Sequence, residues 1–176
     1  MKSYLIKYTI LIAFLISGCS LDLKTKDLAK TGLKEQSIPL VHNYFDLTYV
    51  ENHAIAFGFL GNIEKSIRLP LIFLLTISST LVGFYAIWRI RKRQFRFLLP
   101  FFILIGGAYG NITDRLINGY ATDLFHLHYF YKYSFPVFNV ADILVNIGFI
   151  LIVIQWKDFQ VIFDDILNKK TSVTTE

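Results

Sequence analysis

Four long apolar segments dominate this sequence and restrict what it can fold into. They lie at about residues 4–21, 67–88, 97–112 and 137–156, and charged residues within them are rare. A helix needs about 20 apolar residues to cross a bilayer core of about 30 Å. The pattern therefore predicts an all-α membrane protein with four transmembrane helices. At 176 residues, the chain is expected to form a single membrane-embedded domain, residues 1–176.

The distribution of positive charge predicts the orientation in the membrane. Residues 89–96 carry five Lys or Arg and no acidic residue, between the second and third apolar segments. Short loops rich in Lys and Arg stay in the cytoplasm. Both termini are then cytoplasmic, and residues 22–66 and 113–136 lie outside. A nucleic-acid partner is disfavoured despite the net charge of +5, because eight residues between two membrane helices offer no surface for a duplex.

The outer segments predict a small β-rich addition to the helices, an extracytoplasmic cradle. Residues 37–50 are rich in β-branched and aromatic residues and partly alternate between apolar and polar, which predicts one or two strands. The first outer segment opens with Asp22–Lys26, interpreted as the polar end of the first helix. The chain closes with a polar cytoplasmic tail from Lys157, and residues 171–176 are expected to be disordered. The single cysteine, Cys19, excludes an intrachain disulfide.

Two aspartates, Asp123 and Asp142, lie where apolar segments meet the predicted outer surface. An ionisable carboxyl beside the membrane core is costly and marks a functional site. If the two carboxyls are close, both cannot ionise, and they share one proton as a pair. A carboxylate that activates water, next to an acid that hydrogen-bonds a carbonyl, can hydrolyse a peptide bond. These residues are therefore the candidate catalytic pair.

Polar residues near the pair have structural and functional interpretations. The small residues of Gly106–Gly110 allow helices to approach closely. Asp114 and Arg115 are interpreted either as a structural ion pair, with each other or with other interfacial groups, or as direct substrate contacts. Asn139 precedes Asp142 by three residues and could orient its carboxyl. Asn146 is expected to hydrogen-bond a neighbouring helix.

No metal or cofactor is predicted. His126 and His128 are interpreted as lying on opposite sides of a strand, which disfavours a metal site that they would share with Asp123. His42 and His53 have no partner at a ligand-like spacing. The tetrapeptide Ile16–Cys19 resembles the cleavage site of a lipidated signal peptide. A first membrane helix explains it better, because three more apolar segments follow.

Several short blocks are distributed between about Leu21 and Gly148. They comprise Asp22 with Thr25 and Lys26, Ser37–Leu40, Leu47–Asn52, Ala56–Gly58, Gly106–Arg115, Gly119–Asp123 and Phe135–Asp142. In order and spacing, these blocks resemble those of the lipoprotein signal peptidase (signal peptidase II) family. The resemblance implies a four-helix aspartyl endopeptidase of the bacterial cytoplasmic (inner) membrane with a small external β-rich cradle. Such enzymes remove signal peptides from diacylglyceryl-modified prolipoproteins, cleaving before the lipidated cysteine. The implied partners are these substrates and membrane lipid, and we expect a monomer.

The resemblance also assigns roles to residues. It implies that Asp123 and Asp142 are catalytic, and that Asp22 supports the site. The residues implied to line the site and bind substrate are Asn52, Asn111, Arg115 and Asn139. The sequence departs from the family pattern at Leu23, His53, Ile55 and Tyr109.

Two functions of other classes compete with a peptidase. A proton-coupled transporter could use Asp123 and Asp142 as a relay, but it would place the acids near the membrane midplane and usually contain a repeat. A lipidated envelope protein with a structural role would depend on Ile16–Cys19.

Overall fold

The computed structural model describes residues 2–54 and 63–173, with side chains for residues 4–54, 63–64 and 66–165. The described chain contains five helices and four short strands. Their bounds are α1 Lys2–Gly32, β1 Ile38–Val41, β2 Phe45–Asn52, α2 Lys65–Ile90, α3 Phe95–Asn118, β3 Ala121–Tyr129, β4 Tyr133–Ser134, α4 Val140–Ile154 and α5 Trp156–Val173.

Within the described residues, three helices are long and apolar enough to cross a membrane: Tyr4–Gly32, Ser66–Ile90 and Phe95–Asn118. The pair Val140–Ile154 and Trp156–Asp165, bent by 68°, forms a fourth span if the two helices cross as one. Large apolar side chains such as Ile154, which is 73% exposed, cover the outside of the bundle. Such an apolar exterior fits lipid rather than water. The chain is therefore a mostly helical membrane protein with a small antiparallel sheet.

The first helix is longer than the sequence predicts. Its apolar part ends near Leu21, yet α1 continues to Gly32. Asp22, Lys26 and Lys30 follow one another at four-residue intervals, so they share one face of the helix. That face packs against α3 and α4. Lys26 and Lys30 donate to Asn111 and Asp114 of α3, and Asp22 accepts from the first turn of α4. The interpretation of Asp22–Lys26 as the end of the helix was therefore wrong.

The end of the chain also differs from the prediction. Helix α4 begins at Val140 and ends at Ile154, and α5 replaces the predicted polar tail from Lys157. Phe159 and Ile162 of α5 are buried in the main apolar core. Residues 171–173, predicted to be disordered, belong to α5, whereas residues 174–176 lie outside the described residues.

Helix α3 packs against α1, α2 and α4, and its glycines permit the closest approaches. A Cβ on Gly106 would lie 3.0 Å from the Leu15 carbonyl oxygen of α1. A Cβ on Gly107 would lie 2.6 Å from the Ala141 carbonyl oxygen of α4. Any larger residue would push these helices apart, which confirms the expected role of the small residues. Gly119, with φ 82°, then ends α3 in a left-handed cap.

The sheet has the order β1-β2-β3-β4 and is antiparallel throughout. Residues 37–50, in which one or two strands are predicted, contain β1 and most of β2, which continues to Asn52. The sheet rests on the end of α1, where Leu124 packs with Ala29 and Leu33. Phe138, just before α4, exchanges backbone hydrogen bonds with Phe125 of β3, with N–O distances of 2.8 and 3.0 Å. This pairing fixes the start of α4 beside β3.

Candidate active site

The structure brings Asp123 and Asp142 together at the junction of β3 and α4. Both carboxyls accept hydrogen bonds from one residue, Asn139. Its side-chain Nδ2 donates to Asp123 Oδ1 at 2.6 Å, and its backbone N donates to Asp142 Oδ2 at 3.1 Å. Asn139 and Asp123 are almost fully buried. The two carboxyls therefore belong to one hydrogen-bonded cluster.

The start of α4 is responsible for the position of Asp142. Asn139 is the N-cap, and its Oδ1 accepts a hydrogen bond from Asp142 N at 2.9 Å. Asp142 Oδ2 in turn accepts a hydrogen bond from the Asn139 backbone N, which completes a capping box. The same local motif that begins the helix thus fixes the carboxyl. Asn139 thus contacts Asp142 through its backbone N and its side-chain oxygen, and whether it orients the carboxyl or binds substrate stays a prediction.

Asn111 of α3 also contacts the pair. Its Nδ2 donates to Asp142 Oδ1 at 3.0 Å, and its Oδ1 accepts from Lys26 Nζ at 2.7 Å. An ammonium group can only donate, so Lys26 requires the amide oxygen of Asn111 to face it. The amide nitrogen must then face Asp142. Lys26 therefore orients Asn111.

Asn52, at the end of β2, completes the contacts to the pair. Its Nδ2 donates to Asp123 Oδ2 at 2.8 Å, and its Oδ1 accepts from Ala54 N at 2.9 Å. With this contact, each of the four carboxyl oxygens accepts an N–H group from an asparagine. Ile55 and Ala56–Gly58, which continue this segment, lie outside the described residues.

Asp22 of α1 hydrogen-bonds the first turn of α4. Its Oδ1 accepts from Ala141 N at 2.7 Å, and its Oδ2 lies 2.7 Å from Lys26 Nζ. Gly110 makes this possible, because a Cβ there would collide with the Asp22 carboxyl. Asp22 thus satisfies a free N–H group in the first turn of α4.

Asp114 and Arg115 do not pair with each other, and each has its own partners. Asp114 accepts from Lys30 Nζ at 2.6 Å and from Thr122 N at 2.5 Å, whereas Arg115 donates to the Ala54 carbonyl oxygen at 2.7 Å. Neighbouring residues on a helix point about 100° apart, so one side chain faces α1 and β3 while the other faces the segment after Asn52. Asp114 was predicted to pair with Arg115 or with another group, or to contact substrate. The structure shows an ion pair of Asp114 with Lys30.

Sequence reasoning missed Lys26 as a site residue and misplaced the contact of Asn146. Lys26 is 1% exposed and lies between Asp22 and Asn111, and the signal that could have found it is its four-residue spacing from Asp22. Asn146 donates to the Asp142 carbonyl oxygen of its own helix at 2.8 Å. The expected bond from Asn146 to a neighbouring helix was therefore wrong.

The surroundings of Asp123 change its acidity. Burial raises the pKa of Asp123 to about 7, and the charge of Asp142 adds to this rise. The hydrogen bonds from Asn52 and Asn139 oppose it, because they stabilise the ionised form. Asp123 is therefore able to hold a proton near neutral pH.

The interpretation of the histidines requires correction. His126 and His128 lie two residues apart on β3, and residues at this spacing share a face of a strand. Their ring centroids are 4.8 Å apart. The carboxyl beside them is Asp46 rather than Asp123, with His128 Nε2 at 3.2 Å from Asp46 Oδ2. The prediction of opposite sides was wrong, because side chains alternate faces at every single residue.

Comparisons with known proteins agree with this site. Residues 12–157 match the family model of signal peptidase (SPase) II. The chain is similar to the lipoprotein signal peptidase of Clostridium acetobutylicum, with 43% identity over 84% of this chain and 91% of the relative. The chain belongs to the signal peptidase II family. The expected resemblance is thus confirmed, and the protein is a bacterial membrane peptidase of the aspartic class.

A second relative and a solved structure extend this family match over most of the fold. The lipoprotein signal peptidase of Syntrophotalea carbinolica is 38% identical over 90% of this chain and 96% of its own. The structure of a bacterial membrane enzyme, solved by the in meso method at 2.3 Å resolution, has a TM-score of 0.71 and 26% identity. It covers 86% of this chain and 90% of that chain. The chain therefore shares its fold with that membrane enzyme over most of its length.

Proposed function

We propose that this chain removes signal peptides from diacylglyceryl-modified prolipoproteins, cleaving before the lipidated cysteine, with Asp123 and Asp142 as the catalytic pair. The observation that carries the proposal is the contact of both carboxyls with Asn139 at the end of the bundle. The similarity to lipoprotein signal peptidases supports the substrate class. The position of Asp123 on a strand, rather than within a spanning helix, disfavours a proton relay.

The two aspartates have different roles in hydrolysis: Asp142 is the general base and Asp123 is the general acid. Asp142, as the carboxylate, takes a proton from water while the water oxygen bonds to the scissile carbonyl carbon. Asp123, which holds a proton near pH 7, gives it to the carbonyl oxygen. Collapse of the tetrahedral intermediate breaks the C–N bond, Asp142 protonates the leaving amine, and Asp123 recovers its proton. The pair ends with the same single proton with which it began.

The other site residues act through the pair or the substrate. Asn111 and Asn139 hold Asp142 and Asp123 in place, and Asp22 supports the first turn of α4. We assign Asn52 and Arg115 to substrate binding. Both hydrogen-bond the backbone of Ala54 and so hold this segment beside the pair.

The fold supports an outward-facing site in a four-span protein with α4 and α5 as the bent fourth span. Lys7 Nζ donates to the carbonyl oxygens of Arg91 and Arg93, so the basic loop lies at the N-terminal end of α1. Asp22 lies 15 residues further along this helix, a rise of about 22 Å. If the basic loop is cytoplasmic, both termini are cytoplasmic, and the site faces outward from the inner membrane. Residues 1–176 then work as one membrane-embedded domain.

We propose that the enzyme works as a monomer, because residues of one chain supply an N–H donor to all four carboxyl oxygens of the pair. A lipid anchor on the substrate would supply binding energy remote from the scissile bond and orient that bond.

The direct test uses purified protein with a lipid-modified precursor and the matching unmodified precursor. Mass spectrometry should detect a product that starts at the lipidated cysteine, from the modified precursor only. Cleavage elsewhere, or equal cleavage of both precursors, would reject the proposed specificity.

The pH dependence of processing should reflect the proton on Asp123. We expect kcat/KM to fall about tenfold per pH unit above pH 7, where Asp123 loses its proton. The hydrogen bond from Asn52 lowers the pKa of Asp123. Asn52→Ala should therefore move this alkaline limb to higher pH. A profile measured for both proteins checks the sign, and an unchanged or downward shift would exclude Asp123 as the titrating acid.

Asn139 offers a way to separate positioning from helix capping. Asn139→Ser keeps an N-cap acceptor for Asp142 N but removes the amide donor to Asp123. We expect kcat/KM to fall about 100-fold, as misplaced catalytic groups commonly cause. Asn146→Ser is the control, since Asn146 is exposed and bonds only its own helix in the described structure. Activity within about threefold of wild type in Asn139→Ser would show that its amide does not position the pair.

A further inference from the structure

The sheet carries a second cluster of functional side chains, formed by Asp46, His126 and His128. Asp46 of β2 is the direct cross-strand partner of His126 of β3, and His128 follows on the same face. One potential ligand atom from each residue lies within 4.8 Å of the others. His126 follows Asp123 by three positions on β3, an odd offset that places their side chains on opposite faces, so this cluster faces away from the catalytic pair.

Two atoms of this cluster are buried without a hydrogen-bond partner. They are Asp46 Oδ1 and His128 Nε2, and their residues are only 4% and 6% exposed. The His128 Nε2 lies 3.2 Å from Asp46 Oδ2 but makes no hydrogen bond with it. Buried polar atoms in proteins nearly always have partners. Neither the peptidase site nor apolar packing accounts for these two.

The chemistry of the cluster matches a transition metal. Ligand atoms about 2.0 Å from a tetrahedral Zn²⁺ are about 3.3 Å from each other, close to the separation of His128 Nε2 and Asp46 Oδ2. Two imidazoles with one carboxylate form a known three-ligand zinc set, whereas Ca²⁺ and Mg²⁺ prefer oxygen. Tyr131 donates its hydroxyl to Asp46 Oδ2 at 3.0 Å, and His126 Nε2 contacts Ser134 Oγ at 3.2 Å. Such outer contacts orient metal ligands.

We propose that Asp46, His126 and His128 bind Zn²⁺ or a chemically similar divalent transition metal. The ion would join β2 to β3, the strands that carry Asn52 and Asp123, without touching the reacting atoms. His126 is only half-buried, so solvent can supply the fourth ligand. The site braces the sheet and is independent of the peptidase mechanism.

One contact competes with the metal. Tyr131 N donates to His128 Nδ1 at 3.3 Å, and a neutral ring that accepts there carries its proton on Nε2. Metal binding at Nε2 requires this long hydrogen bond to open. Tyr131 has φ 55°, in the left-handed region that a tyrosine seldom adopts. The turn that holds this hydrogen bond is therefore strained.

The test uses full-length protein without a histidine tag, depleted of metal and held in detergent. Isothermal titration with Zn²⁺ should show one equivalent bound, and Co²⁺ should give the visible absorption of a low-symmetry site. His126→Ala should weaken binding more than tenfold, and because His126 is half-buried the variant should still fold. His42→Ala is the matched control, since His42 is exposed in the turn between β1 and β2. A hundredfold excess of Zn²⁺ over Kd should raise Tm by about 5–10 °C in wild type.

Equal Zn²⁺ affinity in wild type and His126→Ala, or no binding by the wild type, would overturn the proposal. Binding of Mg²⁺ as tight as that of Zn²⁺ would also overturn it. Because the titration contains no substrate, its failure leaves the peptidase assignment untouched. Conversely, chelation should leave processing unchanged when it is measured well below Tm, because the ion does not take part in catalysis.

Discussion

Asp123→Asn and Asp142→Asn each should reduce processing of a lipid-modified precursor by at least about 10³-fold, while the protein remains inserted and folded. An amide at either position can neither take a proton from water nor give one to the carbonyl oxygen. Removal of a residue that acts as part of a catalytic unit typically eliminates most of the rate enhancement. Single-turnover rates followed by mass spectrometry give the effect on the chemical step.

The substitutions at the pair need a control for folding. Asn and Asp are nearly isosteric, but an amide NH₂ would face N–H donors that now meet carboxylate oxygens, so a small loss of stability is expected. Asp27→Asn is the matched control, because the Asp27 side chain is 67% exposed. Its activity should equal that of wild type. Full activity in either pair variant would remove that aspartate from the mechanism.

Lys26→Met should destabilise the protein by about 3–5 kcal/mol, because breaking a buried ion pair leaves an uncompensated charge. Lys26 lies within 2.7 Å of both Asp22 Oδ2 and Asn111 Oδ1, and its side chain is 1% exposed. Methionine keeps the length of the side chain but leaves Asp22 without its cation. Processing should also fall, because Asn111 is then free to turn its amide away from Asp142.

Unfolding of Lys26→Met in detergent, by heat or denaturant, measures this loss. Lys24→Met is the control: Lys24 lies on the same helix with its side chain 69% exposed, and its ion pair with Asp27 contributes little. Lys26→Arg keeps the positive charge and tests whether the position or only the charge matters. Equal unfolding midpoints in the two Met variants would show that the buried network does not stabilise the fold.

The structure explains why the sequence identified the candidate pair and most of the residues around it, but not the contacts that join them. The capping box of Asn139 and Asp142 is a local motif, with its two partners three residues apart. The contact between Asn139 and Asp123 joins the start of α4 to β3, and it depends on the pairing of Phe125 with Phe138. A single sequence predicts local motifs well, but long-range pairing depends on how the chain closes.

The sequence by itself determined the apolar segments, the presence of strands in residues 37–50 and the position of two carboxyls near the ends of apolar segments, because hydropathy and short motifs are local properties. Only the tertiary structure decided that α1 continues to Gly32, since its charges at Asp22 and Lys26 are tolerated through partners on α3 and α4. It also decided that Asp46 faces His126, because the β2–β3 register depends on backbone hydrogen bonds between distant residues. The partners of a buried charge depend on tertiary packing between distant residues, so they cannot be predicted from local sequence patterns.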